Sequence, residues 1–115
     1  MGIGGLLEQV HLVIALTRMN KLVDHEPADM TATFQAGMTL KEAQRALSQN
    51  SQCLALDPPY SYAATIGGIL ATNSSGPWRL QYGTSRDLVL AIQVVHADGT
   101  VTKGGAKVVK NVSGY

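Results

Sequence analysis

The segment Thr65-Ile66-Gly67-Gly68-Ile69-Leu70-Ala71-Thr72-Asn73-Ser74-Ser75-Gly76 crowds glycines and short hydroxyl or amide side chains around a brief apolar patch. Glycine costs conformational entropy on ordering, so such a run marks a tight turn or a close approach of backbone to another body. The chemistry it can do is binding. Gly67 and Gly68 offer exposed amides, Thr65 a hydroxyl and a helix N-cap, and Asn73, Ser74 and Ser75 donors without bulk. That set suits a phosphate or the polar edge of a ring. A tight strand-to-helix turn would use the same composition. The segment lacks the Gly-Lys-Ser/Thr ending of a Walker loop and the Gly-x-Gly-x-x-Gly of a Rossmann turn, so nucleotide hydrolysis loses support.

Other reactive side chains are scattered. His11 falls in an apolar run, His25 beside Glu26, and His96 at the end of another apolar run. None is paired with a group that would make it an acid or base, and structural or solvated roles are expected for all three. Cys53, the single cysteine, has no partner for a disulfide or a metal and reads as a buried small hydrophobe in a reducing compartment. Gly2-Ile3-Gly4-Gly5 follows no strand and opens no clear helix, so it reads as the start of the chain and not as half a phosphate loop. Asn73-Ser74-Ser75 and Asn111-Val112-Ser113 are formal glycosylation sequons with no secretion signal beside them, and both are discounted.

The elements that must position the glycine-rich segment read as alternating strands and helices. Val10 to Leu16 and Thr31 to Gln35 have strand composition. Thr39 and Glu42 form a Thr-x-x-Glu capping box, and Leu40, Ala43 and Leu47 follow on one face, predicting a helix that ends near Asn50. Asp57-Pro58-Pro59 breaks regular structure. The glycine-rich segment then runs as a loop over the surface or along a cleft. Val89 to Val95 is apolar on both faces and reads as a central strand. Asp98-Gly99, suited to a type I′ turn, joins it to Thr100-Val101-Thr102 as a hairpin. The fold class is α+β.

With 115 residues, 45% hydrophobic and 15% charged, the chain has the composition of one globular domain. Its net charge of +1 and lack of any basic block exclude the electrostatic footprint of a nucleic-acid binder. The apolar run Leu12 to Leu16, preceded by Glu8 and His11, is far too short for a membrane span.

"DPP" followed by "ATIGGILATNSSGPWRLQYGTSRDLVLAIQVVHADGTVTKGGAKVVKNVSGY" resembles the second half of the FAD-binding domain of the FAD-linked oxidases, the vanillyl-alcohol-oxidase type with a PCMH-type domain. Within that family it is most similar to the FAD-binding E subunit of bacterial glycolate oxidase. The resemblance runs from about Val13 to Tyr115, with "TIGG", "ATN", "YG", "RDLVL", "ADG" and "KNVSGY" in the family's order. It implies a partial domain over residues 1–115, a mixed or antiparallel sheet with flanking helices. The N-terminal pyrophosphate-loop subdomain and the C-terminal substrate or cap domain of the family would lie outside it.

The implied cofactor is FAD, held by Pro58, Thr65, Ile66, Gly67, Gly68, Ala71, Thr72, Asn73, Gly76, Tyr82 and Gly83, with no catalytic residue and no metal ligand in this chain. A β-carbon at Gly67 or Gly68 would then collide with the cofactor, and a positive φ is expected at Gly68. The implied activity of the parent enzyme is oxidation of a small 2-hydroxy acid, glycolate to glyoxylate or D-lactate to pyruvate. Electrons would leave through the other glycolate oxidase subunits, flavin-bearing and iron-sulfur. The setting would be cytoplasmic, with any membrane association peripheral and made through those partners. The rival expectation is a non-catalytic FAD-binding module or an inactive fragment.

Overall fold

The computed structural model describes residues 8–106. The Gly2–Gly5 cluster, the second sequon and the "KNVSGY" motif lie outside the described residues. Two antiparallel hairpins bracket the helices. Strands β1 (Leu22–Glu26) and β2 (Thr31–Phe34) pair with an irregularity between Leu22 and Asp24. Helices α1 (Leu40–Ser48), α2 (Ile66–Thr72), α3 (Arg79–Tyr82) and α4 (Ser85–Leu88) follow, then β3 (Ala91–Val95) paired with β4 (Val101–Gly105). The α+β expectation holds, with the sheets built as separate antiparallel pairs.

Helix α1 forms where its capping box places it. The Thr39 Oγ1 accepts from the Glu42 N–H at 3.2 Å, and the Glu42 carboxylate accepts from the Thr39 N–H at 2.9 Å and hydroxyl at 2.7 Å. Leu40, Ala43 and Leu47 are buried as their spacing requires. Gln44 does the work of a neighbouring strand for the extended segment before the prolines: its amide donates to the Leu54 carbonyl at 2.7 Å and its carbonyl accepts the Leu54 N–H at 2.9 Å. Leu54 is thereby held against the cluster formed by Leu40, Leu56 and Ile69.

The starts of α1 and α2 are laced together. Leu40 N–H donates to the Ala64 carbonyl at 2.9 Å, Ile66 N–H to Met38 at 2.8 Å, and Gly67 N–H to Ala36 at 2.8 Å, with Thr39 and Thr65 bridged between them. The two threonine N-caps therefore sit side by side.

Several sequence expectations are corrected. Val10 to Leu16 forms no strand and is exposed throughout, because a β-branched run becomes a strand only where a partner supplies the ladder, and no described strand pairs with it. His11 accordingly lies in no strand. Leu22–Glu26, too polar to announce itself, becomes β1 because β2 pairs with it. The region "TIGGILATNSSG" is a short helix followed by a turn, not a loop. Val89–Val95 is not central: β3 has one partner, and among its residues only Ile92 escapes the exposed class. The β3–β4 hairpin closes as expected, but Gly99 alone has positive φ, and the Gly99 N–H to His96 carbonyl bond marks a type I turn with a glycine bulge in place of type I′. Cys53 is exposed, since it lies on the extended segment that Gln44 holds only through Leu54.

Three carboxylates give the fold an acid limb. The Thr39 hydroxyl and N–H hold Glu42 below the usual carboxylate range, the Thr84 N–H and hydroxyl do the same for Asp87, and the Thr100 N–H does so for Asp98. Folding lowers these pKa values, so the unfolded chain binds more protons in acid and stability rises with pH there. Their contribution is complete above the unfolded carboxylate value, about pH 4, and is lost as pH falls through the lower folded values. Thermal melts between neutral and strongly acid pH should therefore show Tm falling below about pH 4, and a Glu42→Gln, Asp87→Asn chain should show a flatter acid limb. An unchanged limb in that variant would remove these two caps as its source.

Candidate functional site

Pro58, Pro59, Ala64, Thr65, Gly68, Ile69, Thr72 and Ser74 line a shallow, largely apolar cleft of about 190 Å³. One side comes from the proline turn and the other from α2 and the residue after its cap. Typical small-molecule pockets run to about 300–1,000 Å³, so this cleft accommodates part of a large cofactor and not the whole. None of its lining residues can gain or lose a proton near neutral pH. The cleft can bind and orient a ligand but supplies no acid or base. Among the described residues no cluster of His, Cys, Asp or Glu could hold a metal.

The amides of α2 are spent on the chain itself. Ile66 N–H goes to Met38, Gly67 N–H to Ala36, and Gly68 N–H to the Thr65 Oγ1 at 3.2 Å. The expectation of exposed Gly67 and Gly68 amides is thus corrected: the helix start is capped internally and presents no free N–H set to a phosphate. What remains is hydroxyl. Thr72 Oγ1 donates to the Gly68 carbonyl at 2.8 Å, leaving its lone pairs, while the Thr65 and Ser74 hydroxyl protons meet no acceptor among the described residues. These suit the heteroatom edge of a planar ring.

The three glycines of the segment have different reasons. At Gly67 a β-carbon would lie 2.8 Å from the Ala36 β-carbon and 2.9 Å from its carbonyl oxygen, and at Gly76 it would run into the Asp57 backbone oxygen. Close packing within the chain explains both. At Gly68 the only atom within reach is the Thr65 Oγ1 at 3.0 Å, and beyond it the space is the cleft. Its backbone is helical, which corrects the positive φ expected there.

Of the residues implied to hold FAD, Pro58, Thr65, Gly68 and Thr72 meet at this cleft; Ile66, Gly67, Ala71, Asn73, Gly76, Tyr82 and Gly83 do not line it. Asn73 takes φ +45° as the C-cap of α2, and its Oδ1 accepts from the Ser85 hydroxyl at 2.9 Å and the Arg86 N–H at 3.1 Å, tying α2 to α4. Ser85 is thereby a buried but satisfied polar residue. Tyr82 packs edge-on against Trp78 at a centroid distance of 6.2 Å, and Gly83 ends α3 with φ +83°. Ser74, one of the short donors picked out in the sequence, also lines it, whereas Pro59, Ala64 and Ile69 were missed. Ile69 stood within the quoted segment, but only the helical turn shows which of its side chains share a face. His25 bonds Gln52 at 2.8 Å and His96 bonds Thr102 at 2.9 Å, while His11 is exposed.

The candidate site is therefore a small-residue helix capped beside a proline turn, with a cleft whose lining carries no titratable side chain. Residues 2–105 match the FAD binding domain family, and the chain belongs to it. FAD is the cofactor of that family. The glycolate oxidase subunit GlcD of Bacillus subtilis is 35% identical over 90% of this chain and 22% of its own length. D-lactate dehydrogenase of Archaeoglobus fulgidus is 35% identical over 97% of the chain and 25% of its own, and glycolate oxidase subunit GlcE of Escherichia coli 35% identical over 82% and 27%. The chain therefore spans about a quarter of these relatives. Two solved structures of alkyldihydroxyacetonephosphate synthase share the fold, one with a TM-score of 0.75 at 28% identity over 95% of this chain and 20% of that one, the other with 0.71 at 31% over 77% and 18%. The likeness extends equally to GlcD and GlcE, so the E subunit is not singled out. No helix among the described residues is long and apolar enough to cross a membrane.

Proposed function

We propose that this chain is the FAD-holding part of a flavin-dependent dehydrogenase or oxidase acting on a small 2-hydroxy acid, and that the cleft beside α2 seats part of the flavin nucleotide. The observation that carries it is Gly68: a β-carbon there would meet only the Thr65 Oγ1, at 3.0 Å, where one at Gly67 or Gly76 would run into distant backbone, and the space beyond is the cleft. Thr65, Thr72 and Ser74 would meet polar atoms of the cofactor, while Pro58, Pro59 and Ile69 would cover its apolar surface and exclude water. Bound FAD would supply the two-electron redox chemistry; the protein supplies position and electronics. The substrate class is supported by the names of the relatives, which include glycolate oxidase subunits, D-lactate dehydrogenase and D-2-hydroxyglutarate dehydrogenase. The fold alone does not decide it, since an alkyldihydroxyacetonephosphate synthase carries the same fold. Electron transfer to flavin-bearing and iron-sulfur partner subunits in the cytoplasm completes the proposal.

A second reading, a module that holds FAD and turns over nothing, is favoured by the absence of any titratable group in the cleft lining. Titration of the chain with FAD, followed by glycolate, D-lactate or D-2-hydroxyglutarate under anaerobic conditions, separates the two readings from each other and from failure. Reversible binding that is lost on gel filtration, with no substrate-dependent bleaching by the chain alone, is expected. Absence of FAD binding would sink the cofactor proposal, and steady dye reduction by the chain alone would show that the acid-base groups had been overlooked.

A further inference from the structure

We infer that Asp57 is a positioning residue for this cleft, its carboxylate clamping together the two segments that line it and so setting the width a flavin nucleotide meets. The inference rests on the cofactor reading above. Asp57 immediately precedes Pro58 and Pro59, which line the cleft, and Ser74, which also lines it, stands two residues before Gly76. The Asp57 Oδ1 accepts from the Gly76 N–H at 3.1 Å and its Oδ2 accepts from the Trp78 N–H at 3.0 Å. Both carboxyl oxygens are thus committed to backbone N–H donors across a sequence separation of about twenty residues.

Gly76 is built for the same contact. A β-carbon there would meet the Asp57 backbone oxygen and stand 2.6 Å from its carboxyl carbon, so only glycine lets the segment come close enough for the clamp. The contribution of Pro58 is conditioned by the same bond, because a proline cannot adjust φ to compensate for movement of the residue before it. Asp57 does not line the cleft itself, and it acts through the proline wall and the Ser74 segment rather than on the ligand.

The test uses the whole 115-residue chain with Asp57→Ala and Asp57→Asn, read by FAD fluorescence titration, urea melts, and hydrogen exchange at the Gly76 and Trp78 amides. Asp57→Ala should weaken FAD binding about tenfold and unprotect both amides, and Asp57→Asn, which keeps one acceptor oxygen, should fall between it and the parent chain. If the alanine variant does not fold, the near-isosteric asparagine variant carries the comparison. Affinity within about twofold of the parent in a folded variant, or a loss no larger than its unfolded fraction explains, overturns the inference while leaving the cofactor reading intact. A parent chain that binds no FAD overturns the cofactor reading and this inference with it.

Discussion

Replacing Ile69 by alanine is expected to lower the unfolding free energy by about 2–5 kcal/mol, the range for truncating a large buried aliphatic residue. Ile69 is 2% exposed and joins three parts of the chain: Leu40 at the start of α1, Leu56 in the extended segment, and its own helix. Leu54, Ala64 and Ile66 pack around that cluster, so the lost volume would open beside the laced helix starts and next to the cleft that Ile69 lines. The buried apolar residues among those described are few, namely Met38, Leu40, Ala43, Leu47, Leu56 and Ile69. Against a total stability of about 5–15 kcal/mol for ordinary domains, such a loss would leave a substantial unfolded population. Urea melts followed by far-ultraviolet circular dichroism read it directly. Leu47→Ala provides the comparison: it is buried in the stripe of α1 but does not line the cleft, so it should also destabilise while the folded fraction still takes up flavin. A loss under about 1 kcal/mol for Ile69→Ala would mean that the cluster is not the core.

Gly68→Val should do the reverse, reducing FAD affinity by about tenfold or more, some 1.4 kcal/mol per decade, with little change in stability. Its backbone is helical, so a branched side chain meets no φ penalty, and valine suits a helix somewhat better than glycine does, by a few tenths of a kcal/mol. Against that gain stands only a 3.0 Å approach to the Thr65 Oγ1, which weakens the N-cap. The remaining bulk goes into the cleft. Gly67→Val, one residue earlier, should give the opposite pattern, because its side chain would be driven into Ala36 backbone at 2.9 Å: overpacking of about 1–3 kcal/mol and a lower melting temperature. Flavin absorbance and thermal melts on the same samples separate the two. Retained flavin in Gly68→Val would make the glycine a helix-packing residue and move the cofactor elsewhere.

The two outcomes rest on different kinds of information. From sequence, Thr39 with Glu42 determined where α1 starts, because a capping box is local chemistry completed within one turn, and the 3.6-residue spacing of Leu40, Ala43 and Leu47 determined which face is buried. The Asp57-Pro58-Pro59 break and the glycine-rich segment marked the region where the cleft lies, and the ordered run of motifs from "TIGG" to "ADG" marked the family. Strands were less legible. Val10 to Leu16 and Val89 to Val95 have the stronger strand composition, yet one is unpaired and the other half-exposed, while the more polar Leu22–Glu26 pairs, because a strand is made by its neighbour.

Only the tertiary structure decided what each small residue is for. Gly67 and Gly76 are small because Ala36 and Asp57 come against them from about thirty and twenty residues away, Asn73 faces Ser85 and Arg86 rather than the cleft, and the Gly67 amide is consumed by Ala36. Gly68 alone in the pair meets no distant backbone, only the Thr65 Oγ1 at 3.0 Å. Composition reports that bulk has been removed from a segment; whether the space belongs to the chain or to a ligand depends on which distant backbone folds back to occupy it.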